Sequence, residues 1–207
     1  GSAENPKDIT LSHPRAVAVE TLERSASNRV SELPPALSSS LALSLARFGR
    51  VDFVDKAHDR MVATVSTFAP AHVADVFRAL LILKHNHTEL MGVLAERAAA
   101  DIRRYKVKDV AAVLQTLAHF DLFDAQLTDL AIQQVLATLK ARSVVDINVL
   151  AAFLRALAAS GTRNHVVISA IQRLAADTPE AVTAEGASNL RTALQTFGVK
   201  PSPQLQA

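Results

Sequence analysis

The sequence predicts an all-α fold, an α-solenoid of about four helical hairpins plus a terminal helix, on three observations. The first is composition: of 207 residues, 49% are hydrophobic, mainly Ala, Leu and Val, with only 6 Gly and no Trp. Such usage favours helix and argues against global disorder. The second is a nine-residue pattern met five times: LALSLARFG (41–49), VFRALLILK (76–84), VLQTLAHFD (113–121), FLRALAASG (153–161) and LRTALQTFG (190–198). The third is spacing. The ends of these stretches lie 35, 37, 40 and 37 residues apart, a period of about 37 that suits one hairpin per unit.

Each nine-mer opens on a large apolar residue, and leucine recurs four positions later: Leu45, Leu80, Leu117, Leu157 and Leu194. The eighth position is Phe48, Leu83, Phe120, Ser160 or Phe197, so offsets of four and seven put these side chains on one side of a helix. The residue before each leucine is small (Ser44, Ala79, Thr116, Ala156, Ala193), which would let a neighbouring helix approach closely. The ninth position is Gly49, Lys84, Asp121, Gly161 or Gly198, and glycine there reads as a helix stop. An all-helical bundle whose helices share packing constraints is the plainer alternative.

Taken in order, residues 1–32 read as a polar, partly mobile leader, in which Pro14 and the Ser/Asn cluster at 25–28 interrupt a short helical pattern. Residues 33–199 form a single helical-repeat domain. Pro34, Pro35 and Pro70 sit where first helices should begin, and Asp109 and Asp146 mark comparable starts. Second helices follow at VDKAHDRMVATVSTF, TELMGVLAERAAADIRRY, DAQLTDLAIQQVLATLK and NHVVISAIQRLAAD, opened by Thr88 with Glu89, by Asp124 and by Asn164. A last first-type helix spans about 184–197 behind Thr183, and a flexible tail occupies 200–207.

Several function classes fall away. Without Cys there is no thiolate nucleophile, disulfide framework or Cys-based zinc site. No apolar run reaches membrane-spanning length. No glycine-rich phosphate loop, nucleophile elbow or metalloprotease helix is present, so the reading is a non-enzyme without cofactor. The formal charge of +2 and a pI near 9.2 permit nucleic-acid contact without demanding it.

At LSLARFG, LQTLAHFD and LRTALQTFG the chain resembles the helical repeats of organellar RNA-processing proteins, above all the heptatricopeptide arrays of FAST-kinase-like and RAP-domain proteins. Related arrays occur among accessory factors of kinetoplastid mitochondrial RNA editing. The likeness covers roughly residues 34–198 and implies a mitochondrial adaptor of RNA processing or editing that works with protein subunits of a complex and contributes an RNA-contacting surface, a protein-docking surface, or both. The second unit departs from the pattern at Lys84, and no RAP-like domain follows. A pure protein-interaction scaffold is the competing function, favoured by the low net charge.

Two surfaces are candidates for RNA. The basic run DIRRYKVKD places Arg103, Arg104, Lys106 and Lys108 around Tyr105, cations for phosphates and a ring for one base. The third position of the nine-mers puts Arg78, Gln115 and Arg155 in one register across stacked units, with Arg47 and Arg50 near the first turn. The plain reading of the first is a solvated inter-repeat loop whose Tyr105 packs on the core, and of the second an ordinary solvated helix face. For metal the expectation is none: His85 and His87 lack cysteine partners, and at i and i+2 of a helix they would not share a face, although a loop could join them.

Overall fold

A computed structural model describes residues 14–141, 143–178 and 182–201, with Arg15 lacking a described side chain, and holds ten α-helices and no strand among them. They are α1 (Pro14–Asn28), α2 (Pro35–Ala46), α3 (Asp52–Thr64), α4 (Pro70–Leu83), α5 (Thr88–Asp101), α6 (Val107–His119), α7 (Ala125–Lys140), α8 (Ile147–Ala159), α9 (His165–Asp177) and α10 (Ala184–Thr196). Even-numbered helices stack in one row and odd-numbered helices in a second, each helix packing on the next but one. This is the α-solenoid that the repeat period predicts. The five recurrent leucines are all buried, at most 4% exposed, within one continuous core.

Local chemistry starts the helices where the sequence suggests. Pro35 and Pro70 open α2 and α4, where a missing N–H is harmless. The carboxylate of Asp124 accepts from Leu127 N–H at 2.9 Å, Asp146 from Asn148 N–H at 2.8 Å, and Thr183 Oγ1 from Gly186 N–H at 3.0 Å. Asn164 accepts from both Val166 and Val167 N–H at 3.1 Å. Two expectations fail. Thr88 donates its hydroxyl to Asn86 Oδ1 instead of capping α5, and Asp109 lies inside the first turn of α6, only 2% exposed.

The helix stop is common to all five nine-mers. The ninth residue is left-handed in each: Gly49 (φ 70°), Lys84 (51°), Asp121 (55°), Gly161 (69°) and Gly198 (66°). The next N–H then reaches back to the recurrent leucine's carbonyl, as in Thr162 to Leu157 at 2.8 Å and His85 to Leu80 at 3.0 Å. That leucine therefore fills the core with its side chain and closes the helix with its backbone.

The small position works as expected in four copies. Ala79, Thr116, Ala156 and Ala193 are buried. In α6 the Thr116 hydroxyl lies 3.0 Å from the Phe77 carbonyl of α4 and 2.9 Å from its own Ala112 carbonyl, so these backbones run close together. The first copy differs: Ser44 is exposed and Phe48 is 62% exposed. No first-row helix precedes α2 among the described residues, so the face used for stacking in later copies meets solvent.

The element before α2 also departs from expectation. Pro14 begins a helix instead of breaking one, and α1 runs unbroken through Ser25 and Ser27 to Asn28. It belongs to the second row and packs on α3. Its Glu23, only 3% exposed, accepts from Phe53 N–H at the start of α3 and pairs with the Arg50 guanidinium. Residues 1–13 of the expected leader and 202–207 of the expected tail lie outside the described residues.

Candidate functional site

The basic run joins α5 to α6 through a short 3-10 turn, Ile102–Arg104. Apolar and charged side chains alternate here, and the apolar ones turn inward: Ile102, Tyr105 and Val107 are buried, while Arg103, Arg104, Lys106 and Lys108 are exposed. Gln134 of α7 donates to the Tyr105 carbonyl at 2.9 Å, which pins the turn to the next repeat.

Tyr105 is only 2% exposed, so its ring belongs to the core and has no face on which a base can stack. Burial pushes its phenol well above the usual range, because the ionised form would lose its hydration. Among the four cations, Arg104 pairs with Asp101 at 2.8 Å; Arg103, Lys106 and Lys108 form no ion pair among the described residues.

The first-row register holds a different surprise. Arg78 of α4 is clamped between Asp75 Oδ1 at 2.8 Å and Asp109 Oδ1 at 2.7 Å, and donates to the Lys108 carbonyl at 3.1 Å. Two carboxylates answer its charge, so it is a bolt between the second and third units and not a free cation. Arg50 is likewise consumed by Glu23. Gln115 and Arg155 occupy the same register on α6 and α8, each half-exposed, and Arg47 is exposed at the end of α2. The two candidate surfaces meet where Arg78 touches Lys108.

Two features escaped the sequence reading. One is the bare face of α2, with Leu37 45% and Phe48 62% exposed. The equivalent positions of α6 and α10 pack backward: Asp109 and Thr116 on α4, and Gly186 and Asn189 on Ile147 and Asn148 of α8. The other is Asp55 of α3, which meets His85 and His87 from the turn between α4 and α5. Their separations of 30 and 32 residues, close to one repeat, are the only sequence signal that links them.

Among the described residues, a two-row helical stack with scattered surface cations and an open apolar face on α2 has the form of a binding scaffold. The chain belongs to the RNA-editing substrate-binding complex 6 protein family, whose model matches residues 18–153, about two-thirds of its length. No individual curated protein gives a significant match. The matched span runs from α1 into α8, and so includes both the bare α2 face and the basic turn. The protein is thus a non-catalytic adaptor of RNA editing, in keeping with the resemblance its repeats carry.

Proposed function

We propose that the adaptor works chiefly by docking a helix of a partner subunit on the bare face of α2, with residues 33–199 acting as one domain inside a mitochondrial RNA-editing complex. The observation that carries this is a contrast at one register position. Phe48 in the first copy is 62% exposed, whereas Phe197 in the last is 7% exposed. An incoming helix that covered Leu37, Ser44 and Phe48 would continue the first row by the same packing that joins α4 to α6. Burying most of Leu37 and Phe48 contributes roughly 1–2 kcal/mol each, enough to anchor a small interface.

The opposite face of the array is unsuited to the same use. On α10 the outward positions are Ser188, Arg191 and Gln195, where α4, α6 and α8 present Phe77, Leu114 and Leu154 beside alanines. The test is assembly of the full chain with its complex. Leu37→Asp and Phe48→Asp should release the protein while leaving its helicity and melting midpoint unchanged, since both side chains already face solvent. Retention of the double variant at wild-type level would refute the reading, as would dimerisation of the isolated wild-type chain through this face.

RNA contact is the second reading, favoured by Arg103, Lys106 and Lys108, which stand exposed between the 3-10 turn and the first turn of α6 and form no ion pair among the described residues. Charge reversal of Arg103, Arg104, Lys106 and Lys108 should flatten the salt dependence of single-strand binding. Each lost phosphate contact removes about 0.7 from the log–log slope, so the three unpaired cations are worth about 2. No binding by the intact chain at low salt refutes direct contact, and an unchanged slope in the variant refutes this turn as its site.

A further inference from the structure

We propose that Asp55, His85 and His87 form a binding site for a divalent transition-metal ion of the zinc class, which clips the first repeat to the second. Three ligand groups come together from two places, α3 and the turn between α4 and α5. His85 Nε2 lies 2.7 Å and His87 Nε2 2.8 Å from the same oxygen, Oδ1 of Asp55, and the three ligand atoms all fall within 4.8 Å of one another. The two histidines sit in a turn, not a helix, so the argument that i and i+2 residues diverge does not apply; their rings lie 4.7 Å apart at 77°. The left-handed Lys84 ends α4 and aims the next residues at α3.

A third imidazole flanks the cluster. His58 of α3 stacks on His87 with ring centres 4.8 Å apart and an interplanar angle of 17°. Its Nε2 is buried and has no hydrogen-bond partner, the nearest carboxylate oxygen, Glu89 Oε2, being 3.7 Å away. This third imidazole lies flat against His87 and shields that side of the cluster from water, while its parallel ring directs its Nε2 away from an ion held by His87.

The donor set selects the metal class. Imidazole nitrogen with one carboxylate oxygen suits zinc, cobalt, nickel or copper, whereas calcium and magnesium prefer all-oxygen shells. In a tetrahedral site with bonds of about 2.0–2.1 Å, ligand atoms sit about 3.3 Å apart. The two Nε2···Oδ1 contacts must therefore open by about half an ångström. Asp55 is half-exposed at 49% of its side chain, and His85 and His87 at 31% and 22%, so side-chain rotation provides this without moving a helix.

The test uses the full chain stripped with a chelator, titrated with Zn²⁺ by calorimetry and with Co²⁺ by visible absorption. The expected result is one equivalent at micromolar affinity or tighter, a tetrahedral Co²⁺ spectrum, and a melting midpoint that rises with zinc. Asp55→Asn, His85→Asn and His87→Asn should each weaken binding at least tenfold. His119→Asn and His165→Asn, remote from the cluster, should leave it unchanged. No binding at a hundredfold excess overturns the proposal. So does binding that persists in the His85→Asn/His87→Asn double variant, which would assign it to scattered surface histidines. A third refuting result is a double variant that shifts the melting midpoint equally with zinc and with chelator, the signature of a hydrogen-bonded cluster only.

Discussion

Lys84→Gly should stabilise the protein. Lys84 holds φ 51°, a backbone region in which a residue bearing a Cβ pays roughly 1–2 kcal/mol. Glycine removes that strain but returns about 0.5–1 kcal/mol of unfolded-state freedom, leaving a net gain of about 0.5–1 kcal/mol. Gly161→Ala runs the comparison backwards. Gly161 has φ 69°, and an added Cβ would meet nothing within 4 Å, so the loss of about 1 kcal/mol would be conformational and not steric. For a chain of this size such changes move the melting midpoint by about 2–4 °C. Thermal and urea melts followed by circular dichroism, run in chelator to keep the neighbouring histidines metal-free, read both. Asp121→Gly should gain less than Lys84→Gly, because aspartate tolerates the left-handed region better. If Lys84→Gly lowers the midpoint, or Gly161→Ala leaves it unmoved, the shared backbone stop does not carry the energy assigned to it.

Three other outcomes are expected. Arg78→Met should destabilise by about 2 kcal/mol in urea melts, less than for a fully buried pair because Arg78 is 27% exposed, since it strands the buried Asp109 carboxylate; Arg78→Met/Asp109→Leu should recover most of the loss. Ala156→Leu should destabilise by about 1–3 kcal/mol, measured the same way, because the alanine is buried where first-row helices approach closely. Tyr105 is the only tyrosine, so alkaline absorbance reports it alone. Its folded pKa is raised above the unfolded value near 10, so its contribution is fully present below about pH 10 and lost as pH rises through the folded value. Phenolate absorbance should therefore appear together with loss of helicity; ionisation while the helices stay intact would contradict the burial.

The architecture was legible because each repeat must solve one problem, burying a helix stripe and stopping on cue. Leucine, a small residue and a stop recur with that solution. What stayed hidden depends on which copy a residue occupies. Ser44 and Phe48 match their counterparts in pattern, yet they lie on a face that no described helix covers. Arg78 shares its register with Gln115 and Arg155, yet only it faces two carboxylates, one of them 31 residues away. Tyr105, among cations in the sequence, could stack on a base or pack on the core, and the turn that alternates its side chains sends the ring inward. Helix α1 lacks the nine-mer because it is a second-row element, held to α3 through Glu23 in a pairing that no local pattern announces. The meeting of Asp55 with His85 and His87 follows from second-row stacking, which sequence periodicity alone does not orient.

The unlike ends of the first row bear on how copies of the chain behave together. An array with matching apolar faces at both ends would add identical units head to tail, a contact that does not close on itself and grows into filaments. Here that junction would set Arg191 of one chain against Phe48 and Leu37 of the next, burying a guanidinium with no carboxylate among those contacts. Among the described residues the polar face of α10 is therefore no match for the apolar face of α2, and the two would not join copies of the chain head to tail.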